Sequence, residues 1–484
     1  MHVVPVESEG VVLFSEVEAG KYVFTRYNTD LQEDWHIECV VKNNLDLSKY
    51  VYRDKALYLL FSRFKSPEYQ VVKVNVRAGF AEKIDIYSLD KLEVIDFDAS
   101  GNYVFVAGQT RTEPVLLHMN LISKQTRVLP AAFKGKTNIQ SIEFDSLTNT
   151  VNATFISGRA HEKTVIVKSF SPEGLSTRTI TLTADQKQDY DLLTGKISSL
   201  NEDEELVIGT YGTQGPVYSR ATLYNYYGYG RGTYYLGTAD YSQGVYISKM
   251  QNSQQDFLKY YSFTDFKNFF KFLSPKQQER MEKSITRRKE QGRDLKLQYR
   301  LLVHDIIQRN GQYIMVAEAY YPEYRTANTN PYPGMWGYGY GYSSFNRSYP
   351  VFDGYVYTHA VIAGFDLKGN LLWDNSFEIN DVKTYTLKEK VKVSFENENV
   401  MLAYNDDGIL KTKVIRGNDV VEAKGNVPIN TEHKGDKVAK SYTDEIEYWY
   451  GNHFLAWGFQ KIRNDSDEQV KSRRNVFYFT KVNF

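Results

Sequence analysis

The sequence predicts an all-β fold, a closed β-propeller of about eight four-stranded blades (seven is the alternative), interrupted by a short helical insertion. Three observations lead there. A strand-like apolar run returns at steps of 46, 46 and 48 residues, measured between Leu13, Leu59, Phe105 and Ala153. Gly, Asn and Asp punctuate the runs, as hairpin turns with positive φ require. The chain, at 484 residues, is longer than one ordinary domain of about 100–200 residues, unless a repeat absorbs the length.

The recurring runs are Val11-Val12-Leu13-Phe14, Leu57-Tyr58-Leu59-Leu60-Phe61, Tyr103-Val104-Phe105-Val106 and Val151-Asn152-Ala153-Thr154-Phe155. Four more follow at wider spacing, around Val207, Ile314, Met401 and Leu455. Each is preceded by a short strand and a polar turn, such as Asp98-Ala99-Ser100-Gly101-Asn102, and followed by a third strand such as Val71–Val76. Fourth strands such as Glu82-Lys83-Ile84-Asp85-Ile86-Tyr87 alternate apolar and polar, which suits an outer strand with one wet face. Phe365–Asp374 matches Tyr27–Trp35 in layout, each running from a third strand through a turn to a Trp-bearing fourth strand. The last unit lacks a fourth strand. Residues 2–7 could supply it or could open the first blade.

Blades of this kind expose apolar faces that only neighbouring blades can cover, so the whole chain, 1–484, is expected to close into one domain. Equal numbers of basic and acidic residues, 59 each, argue against a dedicated nucleic-acid binder. The one cysteine, Cys39, excludes an intramolecular disulfide and falls in a predicted strand as a small buried residue. No apolar run reaches the roughly 18 residues of a membrane-spanning helix, and no secretory signal is visible behind Met1.

Three segments break the period. Two are rich in Tyr and Gly, within 220–240 and 325–353, and both fall between the second and third strands of consecutive blades. They should therefore emerge on the same face of the disc. Tyr226, Tyr227, Tyr229, Arg231, Tyr234 and Tyr235 in the first, with Trp336, Tyr338, Tyr340 and Tyr342 in the second, are the candidate binding residues. Gly gives backbone freedom, and the aromatics give contact area at low rotamer cost. Against this stands the plainer reading, in which the tyrosines pack on the blades and on one another. The third segment, 262–296, reads as helical. Phe266, Phe269, Phe270 and Leu273 form an amphipathic stripe. Ser274-Pro275 then starts a second helix, with Ser274 as N-cap and Gln277 completing a capping box. Its basic face, with Arg280, Lys283, Arg287 and Arg288, is either a solvated surface or a docking site for an acidic partner.

Chemistry is harder to find. The eight histidines show no HxxxH or HxH spacing, and no GxSxG, phosphate-loop or dinucleotide fingerprint is present. The Asp-box repeat of sialidase-type propellers is also missing. His304 and Asp305, with Glu318 on the adjacent strand, form the best local cluster and suit a hydrogen-bonded structural group better than an acid–base or metal site. No catalytic residue, cofactor or metal ligand is expected.

Leu301-Leu302-Val303-His304-Asp305-Ile306-Ile307 through Ala317-Glu318-Ala319-Tyr320-Tyr321-Pro322, and Gly364-Phe365-Asp366-Leu367-Lys368-Gly369-Asn370, resemble an uncharacterised family of exported propeller-like proteins of the Gram-negative envelope. The resemblance implies a periplasmic or secreted location, with a cytoplasmic one the alternative, and it transfers no catalytic residue. The expectation is a non-catalytic protein-binding scaffold, monomeric outside its complex, with envelope proteins as partners. A glycan-binding or glycan-active propeller using the same aromatic loops is the second reading. A metal- or cofactor-dependent enzyme centred on His304 is the third.

Overall fold

The computed structural model describes residues 1–64, 66–88, 92–110, 113–131, 133, 135–158, 162–185, 190–213, 241–291, 299–328, 348–465 and 471–483. Eight antiparallel sheets follow one another along the chain, over residues 2–40, 46–87, 93–129, 137–182, 190–262, 300–384, 392–428 and 437–483. They are the blades of an eight-bladed propeller.

The second strand of each blade shows why the sequence folds this way. In Ala56–Ser62 every residue is buried, so the usual polar alternation is absent. Leu57, Leu59 and Phe61 pack with blade one, while Ala56, Tyr58 and Leu60 pack with blade three. Burying one such side chain contributes about 1.5–3 kcal/mol, and each strand does so on both faces. Eight apolar clusters result, one at every junction between consecutive blades. The eighth joins blade eight to blade one and closes the ring, with Trp449 and Leu455 against Val3, Val11 and Leu13. The Trp449 indole N–H donates to the Gly10 carbonyl at 2.7 Å, and the Tyr27 and Phe479 rings meet at 5.0 Å.

First strands meet their neighbours at the hub: Asp46–Arg53 touches Glu93–Ser100, which in turn touches Thr137–Asp145. Tight turns join the strands within a blade. At Asn310–Gly311 and Asp407–Gly408 both turn residues have positive φ, between 50° and 70°, which Asn, Asp and Gly tolerate best. The two look-alike hairpins share one device. Asn28 Oδ1 accepts the N–H groups of Asp30 and Gln32, and Asp366 Oδ1 accepts those of Lys368 and Asn370. Cys39 is buried in the fourth strand of blade one, where burial pushes its thiol pKa up.

Of the two places open to residues 2–7, His2–Pro5 take the first strand of blade one, pairing with Val11–Phe14. Blade eight shows three strands among the described residues, in line with the sequence reading. Other details depart from that reading. The first strands of blades five and six are each split in two, as Tyr190–Leu192 with Lys196–Ser199 and Arg300–Val303 with Ile307–Arg309. The amphipathic stripe at Phe266 becomes only a short 3-10 turn, Phe269–Phe272. Leu273 and Ser274 are already extended, at ψ 155° and 152°. A residue that precedes proline avoids the helical region, which leaves room for one turn before Pro275.

Candidate binding rim at blades five and six

In an antiparallel four-stranded blade, the connection from second to third strand and the connection to the next blade leave from the same face of the disc. All three insertions are of these two kinds. Residues 214–243 link Glu204–Thr213 to Gly244–Gln251 in blade five, 263–299 link blade five to blade six, and 329–347 link Gln312–Asn328 to Ser348–Asp366 in blade six. Their bases touch. Ser242 and Tyr299 form a β-bridge, with Ser242 N donating to Tyr299 O at 2.6 Å, and the Arg300 guanidinium lies 5.2 Å from the centre of the Tyr241 ring.

Blade six sends out an arm. Its second and third strands have 17 and 19 residues, against seven to ten for their counterparts in the first five blades, and they stay paired from Gln312↔Asp366 to Asn328↔Ser348. Regular pairing thus reaches into both ends of the span expected as loop. Aromatic pairs run along the arm, with ring-centre separations of 6.3 Å for Tyr320–Tyr357, 5.6 Å for Tyr320–Tyr355, 4.9 Å for Phe352–Tyr355 and 5.9 Å for Tyr324–Phe352. Lys383 braces it by pairing with Glu323 at 2.7 Å and Asp353 at 2.5 Å.

The helical insertion is keyed into the core. Phe263, Phe266 and Phe269 are buried in the cluster between blades five and six. Asp374, in the fourth strand of blade six, accepts the N–H groups of Lys267 at 2.8 Å and Asn268 at 2.6 Å. His359 is fully buried beneath it, stacked on Phe272 at 3.6 Å and flanked by Phe269 and Tyr299. The helix Pro275–Glu290 follows, with the Ser274–Gln277 capping box that the sequence predicts. Arg280, Lys283, Arg287 and Arg288 are exposed along it. Lys283 pairs with Glu279, while the three arginines have no ion-pair partner among the described residues.

Of the other sequence-predicted residues, Tyr226, Tyr227, Tyr229, Arg231, Tyr234 and Tyr235 lie outside the described residues, as do Trp336, Tyr338, Tyr340 and Tyr342. His304 and Glu318 do come together. His304 Nε2 lies 2.8 Å from Glu318 Oε1, which also accepts the N–H groups of Lys390 and Val391 at 2.8 Å each. Asp305 turns away to Lys196, at 2.8 Å.

Sequence reasoning missed the charges on and beside the hub strands. Lys196 bridges Asp305 and Glu143, and Lys392 bridges Glu389 at 3.3 Å and Glu447 at 3.0 Å. Burial alone would lower the pKa of either lysine, but its two carboxylates outweigh that and raise it. Both trios span more than one blade, so no local spacing could reveal them. Among the described residues no three His, Cys, Asp or Glu side chains are grouped so as to hold a metal ion, and no helix is long and apolar enough to cross a membrane.

No family model and no curated protein matches the chain. Solved structures similar to it include the polysaccharide lyase Uly1, at 7% identity over 90% of this chain and 89% of that one, with a TM-score of 0.41. The Dos1 propeller is similar at 9% identity over 98% and 86%, with a TM-score of 0.38. A functionally unknown protein from Desulfotomaculum acetoxidans DSM 771 is similar at 10% identity over 86% and 98%, with a TM-score of 0.38. At these levels none of them bears on activity, and the fold rests on the eight sheets themselves.

Proposed function

We propose that the chain is a non-catalytic scaffold that binds a protein partner of the bacterial cell envelope through the rim at blades five and six. One observation carries this reading: all three departures from the repeat open on one face of two adjacent blades, and the bases of the first two are in contact. The exposed arginines of the helix and the aromatic arm would present charge and ring surface side by side, a mix common at protein interfaces. The envelope location rests on the resemblance at Leu301–Pro322 and Gly364–Asn370. The test is recovery of partners from envelope fractions by the full chain, by a form lacking 224–235 and 330–342, and by Arg280→Glu with Arg287→Glu and Arg288→Glu. A partner retained by the first and lost by the other two, each folded, is the expected result. Undiminished recovery by both altered forms would sink the proposal.

A further inference from the structure

The helix Pro275–Glu290 carries six basic and three acidic side chains, and the two signs are not mixed evenly around it. At about 3.6 residues per turn, Lys276, Arg280, Lys283 and Arg287 stand at i, i+4, i+7 and i+11, within about 60° of one another around the axis. All four are exposed, while Met281 and Ile285, on the opposite side, are half-buried, so the stripe is turned outward. Arg288 and Lys289 are also exposed but fall more than about 100° from the middle of the stripe. Lys283 shares its charge with Glu279. Lys276, Arg280 and Arg287 have no ion-pair partner among the described residues.

The shape of the stripe limits what it can recognise. It rises about 16.5 Å along the helix, in steps of about 6, 4.5 and 6 Å. Glu279 and Glu290 border it on one side, and neutral Gln277 and Ser284 on the other. The positive charge is thus a line about one side chain wide, and the carboxylates beside it repel a plane of lipid phosphates. A second helix laid alongside repeats the same steps, so its carboxylates at i, i+4, i+7 and i+11 meet all four basic groups together. On one face of a strand, side chains recur every 6.6–6.8 Å or so, about 3.5 Å out of step by the fourth group.

Given the rim as a protein-binding surface, on which this rests, we infer that the partner presents an acidic helix, with carboxylates at that spacing, to Lys276, Arg280, Lys283 and Arg287. The basic set expected from the sequence is thereby redrawn: Lys276 joins it and Arg288 leaves it. Exposed charge pairs are individually weak, so the contact has a dissociation constant of about 10–300 µM at low salt. It loosens about tenfold between about 50 and 300 mM salt, because the charges are open to screening.

Fluorescence anisotropy on the full chain tests this with a labelled alanine-based helical peptide bearing Glu at i, i+4, i+7 and i+11. A second peptide spreads the same four Glu residues around the helix and should bind at least about fivefold more weakly. Arg280→Glu with Arg287→Glu should weaken the aligned peptide at least about tenfold. Arg288→Glu with Lys289→Glu, an equal change of net charge off the stripe, should weaken it less than about threefold. Thermal unfolding checks that both variants fold. An aligned peptide that does not bind overturns the proposal, as do equal affinities for the two peptides or equal effects of the two variants. Vesicles containing phosphatidylglycerol that bind the chain and lose it on Arg280→Glu with Arg287→Glu assign the stripe to a membrane and also overturn it. Rim-dependent recovery of an envelope partner with the aligned peptide unbound refutes the acidic helix alone. A bound aligned peptide without rim-dependent recovery refutes the envelope reading and leaves the preference of the stripe for an acidic helix standing.

Discussion

His359 makes the buried state of the helical insertion measurable through pH. Its ring is fully enclosed, stacked on Phe272 at an interplanar angle of 7°, with Nδ1 3.0 Å from Thr358 Oγ1 and Nε2 without a hydrogen-bond partner among the described residues. Glu378, its neighbour across the strand pair, is exposed. Burial pulls the imidazole pKa down from 6.5 to about 3. The folded chain therefore keeps this group neutral at a pH where the unfolded chain protonates it. Above pH 6.5 the group carries no penalty. Stability falls as the pH drops below 6.5, and the loss levels off below about 3. At about pH 5 the difference is close to 1.5 pH units, or about 2 kcal/mol at 1.36 kcal/mol per unit. His359→Phe retains the stack and removes the proton. Any packing cost of the larger ring is the same at both pH values, and carboxylate titrations are common to both proteins, so each cancels in the comparison. Urea unfolding at about pH 7 and about pH 5 should show the wild type losing about 2 kcal/mol more than the variant. Equal losses, within about 0.5 kcal/mol, would refute the claim that the fold holds this imidazole neutral.

Two further perturbations probe ring closure and the anchoring of the insertion. Trp449→Phe removes the indole N–H that the Gly10 carbonyl accepts across the closing junction, leaving that carbonyl the Val6 N–H, and thermal unfolding should show a loss of about 0.5–1.5 kcal/mol. Asp374→Ala strips the acceptor from the N–H groups of Lys267 and Asn268, so limited tryptic cleavage after Lys267 or Lys271 should quicken about tenfold, while secondary structure elsewhere is unchanged.

The sequence reveals most where one strand alone carries the signal. Leu57–Phe61 is apolar at every position because blades cover both faces, and the return of such largely apolar runs is what marks the repeat. The Asx turns at Asn28 and Asp366, and the capping box at Ser274, are equally local and equally legible. What the sequence hides depends on distant partners. Glu318 is held by N–H groups of Lys390 and Val391, more than 70 positions along the chain, and Lys196 collects carboxylates from the blades on either side of its own. The stripe at Phe266 misleads for the same reason. Its spacing suits a helix, but Phe263 and Phe266 are drawn into the blade five–six cluster and Pro275 limits the run to a turn.

The way the insertion is held bears on what its helix can do. A charged helix without buried residues has no packing of its own to fix its position. Here the position comes from the preceding segment: three phenylalanines share the core of two blades, and a buried carboxylate holds two consecutive backbone N–H groups just ahead of the helix. The entry to the basic face is therefore part of the disc. Ordering it costs little when a partner arrives, because that cost has already been met in folding.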